Sequence, residues 1–251
     1  MTDDTRGYTP PTNDTQPGHA PATNDGQHAP VADDGQRGYA RKLAAEAVAV
    51  GDDTGWFERL YAAAESGTAV VPWADREPNP LLVDWSRTRT GHQGRALVVG
   101  CGLGDDAEHL AALGYDTVAF DVAPSAVRAA RERFAGSPVD YRVADLLDPP
   151  ADLLGTFDLV FEAYTVQTLQ GAARRRAIAR FAELLRPGGR LLVIARARDD
   201  DDPAGRMPWP LTRTEIDAFA VDGLRPVLVE DLADTSEDPP VRRWRAEFVR
   251  R

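Results

Sequence analysis

Val98-Val99-Gly100-Cys101-Gly102-Leu103-Gly104-Asp105-Asp106 is the stretch from which the rest of the chain can be read. An apolar run stops at a glycine, glycine recurs at alternate positions through 104, and two acids open a helical pattern. Glycine enters the left-handed backbone region without steric cost, and the first turn of a helix carries amides that have no partner inside the helix. The stretch therefore predicts a strand, a tight turn and a helix, with backbone amides turned towards a ligand. Spacing narrows that ligand. A dinucleotide fingerprint, Gly-x-Gly-x-x-Gly, would follow Gly100 and Gly102 with glycine at 105, where this chain has Asp105. A pyrophosphate would meet the carboxylates of Asp105 and Asp106, whereas a ligand with positive charge and no phosphate tolerates them.

Downstream of the turn, apolar runs alternate with helical patterns. Strands are predicted over Ala96–Val99, Thr117–Phe120, Tyr141–Val143, Phe157–Phe161 and Arg190–Ala195. Helices are predicted between them over Asp106–Leu113, Ser125–Phe134 and Ala172–Leu185, the last closed by Pro187-Gly188-Gly189. Thr212 and Glu215 have capping-box spacing at the start of a further helix. Val227–Val229 and Trp244–Val249 follow as strands, and the polar segment between them is no crossover helix, so they pair as a hairpin. The expected fold is α/β: a doubly wound, seven-stranded, mostly parallel, Rossmann-like sheet with one antiparallel strand and an N-terminal helical cap.

Two acids stand at the ends of neighbouring strands. Asp121 closes the second strand, where a carboxylate can accept from both hydroxyls of a ribose or cap the helix that begins near Pro124. Asp145 follows the third strand beside the apolar Leu146, where it can accept from an adenine amino group or stand as an ordinary loop residue.

Upstream, residues 1–36 are rich in Asp, Asn, Thr, Gln, Gly and Pro, carry six acids against one Arg, and repeat loosely around Thr-Asn-Asp. Such a segment has too little apolar surface to offset its ordering entropy and is read as an acidic disordered tail. Residues 37–94 form the cap, with helices over Tyr39–Val50, Trp56–Glu65 and Leu81–Arg87 around a proline-rich loop at 70–80, and residues 95–251 form the core.

A formal charge of -11 disfavours nucleic acid and anionic membranes as partners, since both are held first by Lys and Arg. The single cysteine, Cys101, excludes an intramolecular disulfide and a cysteine-built zinc site, which fits a reducing cytoplasm. No run approaches the roughly 18 apolar residues of a membrane span, and the acidic start is no signal peptide. Small molecules are the expected partners.

The order of these motifs resembles the class I S-adenosylmethionine-dependent methyltransferases over about residues 54–250: the glycine turn at 98–104, Asp121, Asp145, Phe-Asp-Leu-Val-Phe-Glu at 157–162 and Leu-Leu-Arg-Pro-Gly-Gly-Arg-Leu-Leu-Val at 184–193. With Trp-Phe-Glu-Arg-Leu-Tyr from Trp56 and Val-Pro-Trp ending at Trp73, the chain looks similar to the thiopurine S-methyltransferase and thiol or halide methyltransferase group. The resemblance implies S-adenosylmethionine as cofactor, with Gly100, Gly102, Gly104, Asp121, Val122, Asp145, Leu146 and Glu162 around it and Trp56 and Trp73 folded over it. No metal is implied.

On the acceptor side, Glu162, Tyr164 and Gln167 follow the fourth strand at the edge where such sheets bind ligands; Glu162 and Tyr164 are the candidate catalytic residues, with Glu162 also a candidate cofactor contact. Methyl transfer from a positively charged sulfur is an in-line displacement, so alignment in a dry pocket is the enzyme's main task. His19 and His28 lie in the tail, His92 precedes the first core strand and His109 falls within a core helix, so no histidine is placed as a base. A thiol or other soft acceptor is therefore expected ahead of a hydroxyl or amine, and a non-catalytic sensor of the cofactor is the alternative from another class. Cys101 has no histidine to activate it and is read as packing. Met207 and Trp209, in the loop after the fifth core strand, are candidate walls of an acceptor pocket.

Overall fold

A computed structural model describes residues 34–89, 93–235 and 240–251. The chain runs α1 (Asp34–Ala49), α2 (Gly55–Glu65), α3 (Pro80–Arg87), β1 (Arg95–Val99), α4 (Asp105–Ala112), β2 (Asp116–Asp121), α5 (Pro124–Arg133), β3 (Asp140–Val143), β4 (Phe157–Ala163), α6 (Gly171–Leu184), β5 (Leu185–Arg196), α7 (Arg213–Asp217), β6 (Leu224–Asp234) and β7 (Val241–Arg250). A short 3₁₀ turn, Val166–Thr168, links β4 to α6. Helix α1 starts at Asp34, inside the segment read as tail, because Gln36, Arg37 and the Ala-rich run after Tyr39 continue one helical pattern backwards. The rest of the expected tail, residues 1–33, lies outside the described residues, as does His92.

The seven strands form one sheet in the order β3-β2-β1-β4-β5-β7-β6. Strands β1 to β5 pair in parallel, and β7 runs antiparallel to both β5 and β6. The order reverses at β1, whose neighbours are β2 and β4, and this is where open α/β sheets leave a crevice at the carboxyl ends of their strands. Both faces are covered. Helices α6 and α7, with Phe219 just after α7, pack Ile178, Phe181, Ile216 and Phe219 on one face, while α3, α4 and α5 pack Leu82, Leu110 and Val127 on the other. A third cluster joins α1 and α2 to the start of α5 and to the loop carrying Met207 and Trp209.

The structure lengthens the expected strands, β5 and β6 the most. β5 begins at Leu185, where the reading had helix, because Leu185 pairs with Phe157 before a register shift that Gly188, at φ 81°, permits. β6 extends through Glu230, Asp231 and Asp234, which read as polar linker. These acids lie on the edge strand and meet arginines of β7: Glu230 pairs with Arg245 at 2.7 Å, Asp231 with Arg242 at 2.6 Å and Asp234 with Arg243 at 3.2 Å. Charges and Pro226 suit an edge, which must not recruit further strands. Helix α7 opens with a capping box in which Thr212 and Glu215 satisfy each other's backbone amides.

Candidate functional site

The glycine turn sits at the carboxyl end of β1, and its glycines are required by geometry. Gly100 has φ 65° and Gly102 φ 51°, a region that side chains rarely enter. A Cβ on Gly100 would lie 2.4 Å from Thr165 Oγ1, and one on Gly102 would lie 3.0 Å from Tyr61 Oη. The turn is thus hemmed in by the segment after β4 and by the cap. Gly104, at φ 95°, is the N-cap of α4 and makes no side-chain cap hydrogen bond, so the first amides of α4 face the turn. Asp105 is turned away from the opening into a bidentate pair with Arg133 at 2.8 Å.

Asp121 ends β2 beside this turn and is nearly buried. Its Oδ2 accepts from Gly102 N at 2.9 Å and its Oδ1 from Ala123 N at 2.9 Å. Burial raises its pKa, and the backbone amides of Ala123, Gly102 and Val122 oppose the rise. Capping of α5 is done by another acid: Glu58 of α2 accepts from Ser125 N at 2.9 Å and from its hydroxyl at 2.7 Å. Asp121 therefore braces the glycine turn, and a carboxylate with about four acceptor positions has capacity left for a diol. Val122, next in the chain, is half-buried.

β3 ends one rung along, with Asp121 opposite Val143. Asp145 then makes a turn in which its Oδ1 accepts from Leu147 N at 2.8 Å, and Leu146 is buried in the core on the α6 face. The carboxyl ends of three adjacent strands thus present a glycine turn, a braced carboxylate and a carboxylate beside an apolar floor.

Glu162 lies opposite Val99 in the pairing of β1 with β4 and is fully buried. Its Oε2 accepts from Thr165 N at 3.0 Å and Val166 N at 3.2 Å, while Oε1 has no partner among the described residues. Burial raises its pKa to about 7 against the pull of those two amides. Tyr164 takes φ 63°, donates its amide to Ile194 O at 2.9 Å, and packs against the cluster on the other face of the sheet. Its ring lies 5.6 Å from the Arg243 guanidinium carbon, and burial raises its pKa. The two candidate catalytic residues thus flank the end of β4 on opposite faces. Gln167 is spent elsewhere: Oε1 accepts from Arg196 N at 2.8 Å, and its carbonyl accepts from Trp209 N at 2.9 Å.

The cap closes over the turn in layers. Tyr61, against Gly102, accepts from Trp73 Nε1 at 3.1 Å, and Trp73 is half-buried. Trp56 is fully buried one layer behind, 6.0 Å from Trp73 and stacked on Phe57 at 3.9 Å. Sequence reasoning missed Tyr61, Glu58 and Thr165, whose roles depend on cap and strand meeting in space; Tyr61 falls at helical spacing from Phe57, and Glu58 at helical spacing from Tyr61, and that was the only signal. Cys101 is buried, and burial followed by the Asp121 charge pushes its thiol pKa well up, which keeps it protonated. Among the described residues His109 is the only histidine, with Nε2 3.1 Å from Ser86 Oγ. Among the same residues no group of acids, Cys and His has the makings of a metal site, and no helix is long and apolar enough to cross a membrane.

Residues 96–189, from β1 through the Pro-Gly-Gly turn, match the family described as methyltransferase domain. With the sheet order, this match gives the chain a Rossmann-like methyltransferase fold. Over 119 residues it is 39% identical to a ubiquinone biosynthesis O-methyltransferase of Xanthomonas euvesicatoria pv. vesicatoria (strain 85-10), covering 46% of this chain and 48% of the relative. The chain thus spans about half the length of the curated relatives it matches. Among solved structures, the N-methyltransferase NodS of Bradyrhizobium japonicum WM9 with S-adenosyl-L-homocysteine superposes with TM-score 0.60 at 23% identity, over 77% of this chain and 98% of that one. The 1,6-didemethyltoxoflavin-N1-methyltransferase of Burkholderia thailandensis gives 0.60 at 18% identity, over 90% and 97%. The similarity to both structures is one of fold. The narrower resemblance to thiol and halide methyltransferases gains no support from these relatives, whose names are those of O- and N-methyltransferases.

Proposed function

We propose that this methyltransferase domain moves the methyl group of S-adenosylmethionine to a hydroxyl of a small molecule. The observation that carries the cofactor assignment is the braced pair at the β1 and β2 ends: a left-handed glycine turn whose Gly102 amide is held by the buried Asp121 carboxylate. That cradle leaves room for backbone approach, offers a diol acceptor, and has Asp106 where a pyrophosphate would need none. Gly100, Gly102 and Gly104 would line the amino-acid end of the cofactor, Asp121 and Val122 the ribose, and Asp145 with Leu146 the adenine; Tyr61 and Trp73 would cover it, with Trp56 supporting them. When bound, S-adenosylmethionine supplies an electrophilic methyl on a positively charged sulfur.

The preference for a hydroxyl over the thiol expected from sequence rests on the O-methyltransferase relatives and on Glu162. A hydroxyl must lose its proton as it attacks, and a base working near neutrality should have a pKa near 7. Glu162, raised to about 7 with one oxygen unpartnered, has the chemistry to hold that proton. Tyr164, fixed by its left-handed backbone, would border the methyl from the other face. The test is calorimetry with S-adenosylhomocysteine, followed by incubation with methyl-labelled S-adenosylmethionine and matched phenols, alcohols, amines and thiols. Labelled ether product supports the reading; a thioether alone returns the acceptor to sulfur, and tight binding with no product from any acceptor favours a sensor.

A further inference from the structure

We propose that a cavity between the start of α6 and the loop after β5 binds a carboxylate carried by the methyl acceptor, through Arg174 and Arg198. The cavity has a volume of about 270 Å³ and is lined by Gln170, Gly171, Arg174, Arg198, Trp209 and Glu215, among others. It rests on the methyltransferase reading for its link to an acceptor, and on its own geometry for its charge.

Both arginines are held from behind with their forks in place. Arg174 Nε donates to Leu169 O at 2.7 Å and Nη1 to Glu215, while Nη2 has no partner among the described residues. Arg198 Nε donates to Pro210 O at 3.0 Å and Nη1 to Asp202 O at 2.8 Å, with Nη2 3.5 Å from Glu215 Oε2. Their side chains are only 11% and 17% exposed. Two guanidinium groups therefore share one carboxylate. The nearby Asp199 is directed away, paired with Arg242 at 3.0 Å. Burial, joined by the like charge of Arg198, lowers the pKa of Arg174 against the opposing pull of Glu215, so the pair of cations is incompletely compensated. Helix α6 adds to the imbalance: its N-cap, Gln170, makes no side-chain cap hydrogen bond, which leaves the first amides and the positive end of the helix at the cavity wall.

A planar guanidinium fork matches a carboxylate, and Trp209 supplies an apolar wall for the rest of the molecule. The cavity is joined to the reacting edge by one short turn. Trp209 N donates to Gln167 O, and Val166, its neighbour, donates to Glu162 Oε2. A molecule held by its carboxylate among Arg174, Arg198 and Trp209 would thus lie along the turn that leads back to β4.

The experiment is calorimetric titration of benzoate, benzamide and inorganic phosphate into the full chain saturated with S-adenosylhomocysteine. Benzoate should bind about tenfold or more tightly than benzamide, because only the charged group answers the arginine pair. Glu215→Gln keeps the capping box, which accepts glutamine, yet removes the competing charge, and should tighten benzoate by about threefold to tenfold. Arg198→Lys, which keeps charge without the fork, should weaken it by about threefold, and Arg174→Gln by about tenfold. Equal binding of benzoate and benzamide, or no response to Glu215→Gln, overturns the proposal. Phosphate binding as tightly as benzoate overturns its acceptor assignment, leaving a free-anion site. Loss of S-adenosylhomocysteine binding in the parent protein would instead refute the methyltransferase reading, so the two failures are separable.

Discussion

Glu162→Gln should make the protein more stable above neutral pH and less active there. The folded carboxyl has a pKa of about 7 against 4.5 for the unfolded group. At about 1.4 kcal/mol per unit, that difference corresponds to about 3 kcal/mol. The sign follows from which state holds the proton. Below pH 4.5 both states are protonated and nothing is lost; between 4.5 and 7 the unfolded chain ionises while the fold keeps its proton, so stability falls as pH rises. Above 7 the whole cost is present. Glutamine stays neutral throughout, and its carbonyl can accept from the Thr165 and Val166 amides as Oε2 does. Urea unfolding from pH 5 to 8.5 should show parent and variant within about 1 kcal/mol at the acid end, with the variant ahead by about 2 to 3 kcal/mol at pH 8. Asp106, raised to about 6, and Asp121 also titrate with folding, but they are common to both proteins and cancel in the difference. Parallel curves would refute the reasoning, since they would mean that Glu162 Oε1 is satisfied and the group ionises normally. If the same carboxylate takes the acceptor's proton, the variant should lose about 10² to 10⁴ in kcat/KM for a phenol and little for a thiol, with S-adenosylhomocysteine affinity unchanged.

Other perturbations probe the remaining parts. Asp121→Asn should weaken S-adenosylhomocysteine by about a hundredfold in calorimetry, because an amide must turn its NH2 towards either the Gly102 or the Ala123 amide and so loses a brace as well as a ribose acceptor; unchanged affinity would move the ribose elsewhere. Gly102→Ala should cost about 1 to 2 kcal/mol in urea unfolding from the backbone alone, and more if the added methyl displaces the Tyr61 hydroxyl that receives Trp73. Phe181→Ala, in the core under α6, should cost about 3 to 5 kcal/mol while leaving cofactor affinity per folded molecule intact. Removing residues 1–33, which have no apolar face, should leave Tm and S-adenosylhomocysteine affinity unchanged; a drop of several degrees would show that the segment packs on the domain.

What could be read in the sequence was what a local pattern encodes. Val98 to Asp106 specifies strand, left-handed turn and helix through residues in direct succession, and Asp121 and Asp145 stand at strand ends whatever packs above them. β6 was misjudged for a physical reason: edge strands carry charge, so Glu230, Asp231 and Asp234 look like linker until the arginines of β7 are set beside them. The same limit applies at the site. Glu162 and Tyr164 are two residues apart, and strand alternation would set them on one face as a pair, yet Tyr164 lies just past β4 with φ 63° and turns to the other face, so that one meets the 3₁₀ turn and the other meets Arg243. Gln167 looked free to face a ligand and is consumed in tying β5 and the Trp209 loop together. Tyr61 reaches the glycine turn from the cap and Thr165 from the segment after β4, and beyond the spacing of Tyr61 from Phe57 nothing in their immediate sequence marks either one. The cradle proposed for the cofactor is therefore legible in a single chain because its parts lie at the ends of consecutive strands. The acceptor pocket is not, because Arg174, Arg198, Trp209 and Glu215 come from α6, the β5 loop and α7, and only the finished sheet brings their charges to bear on one cavity.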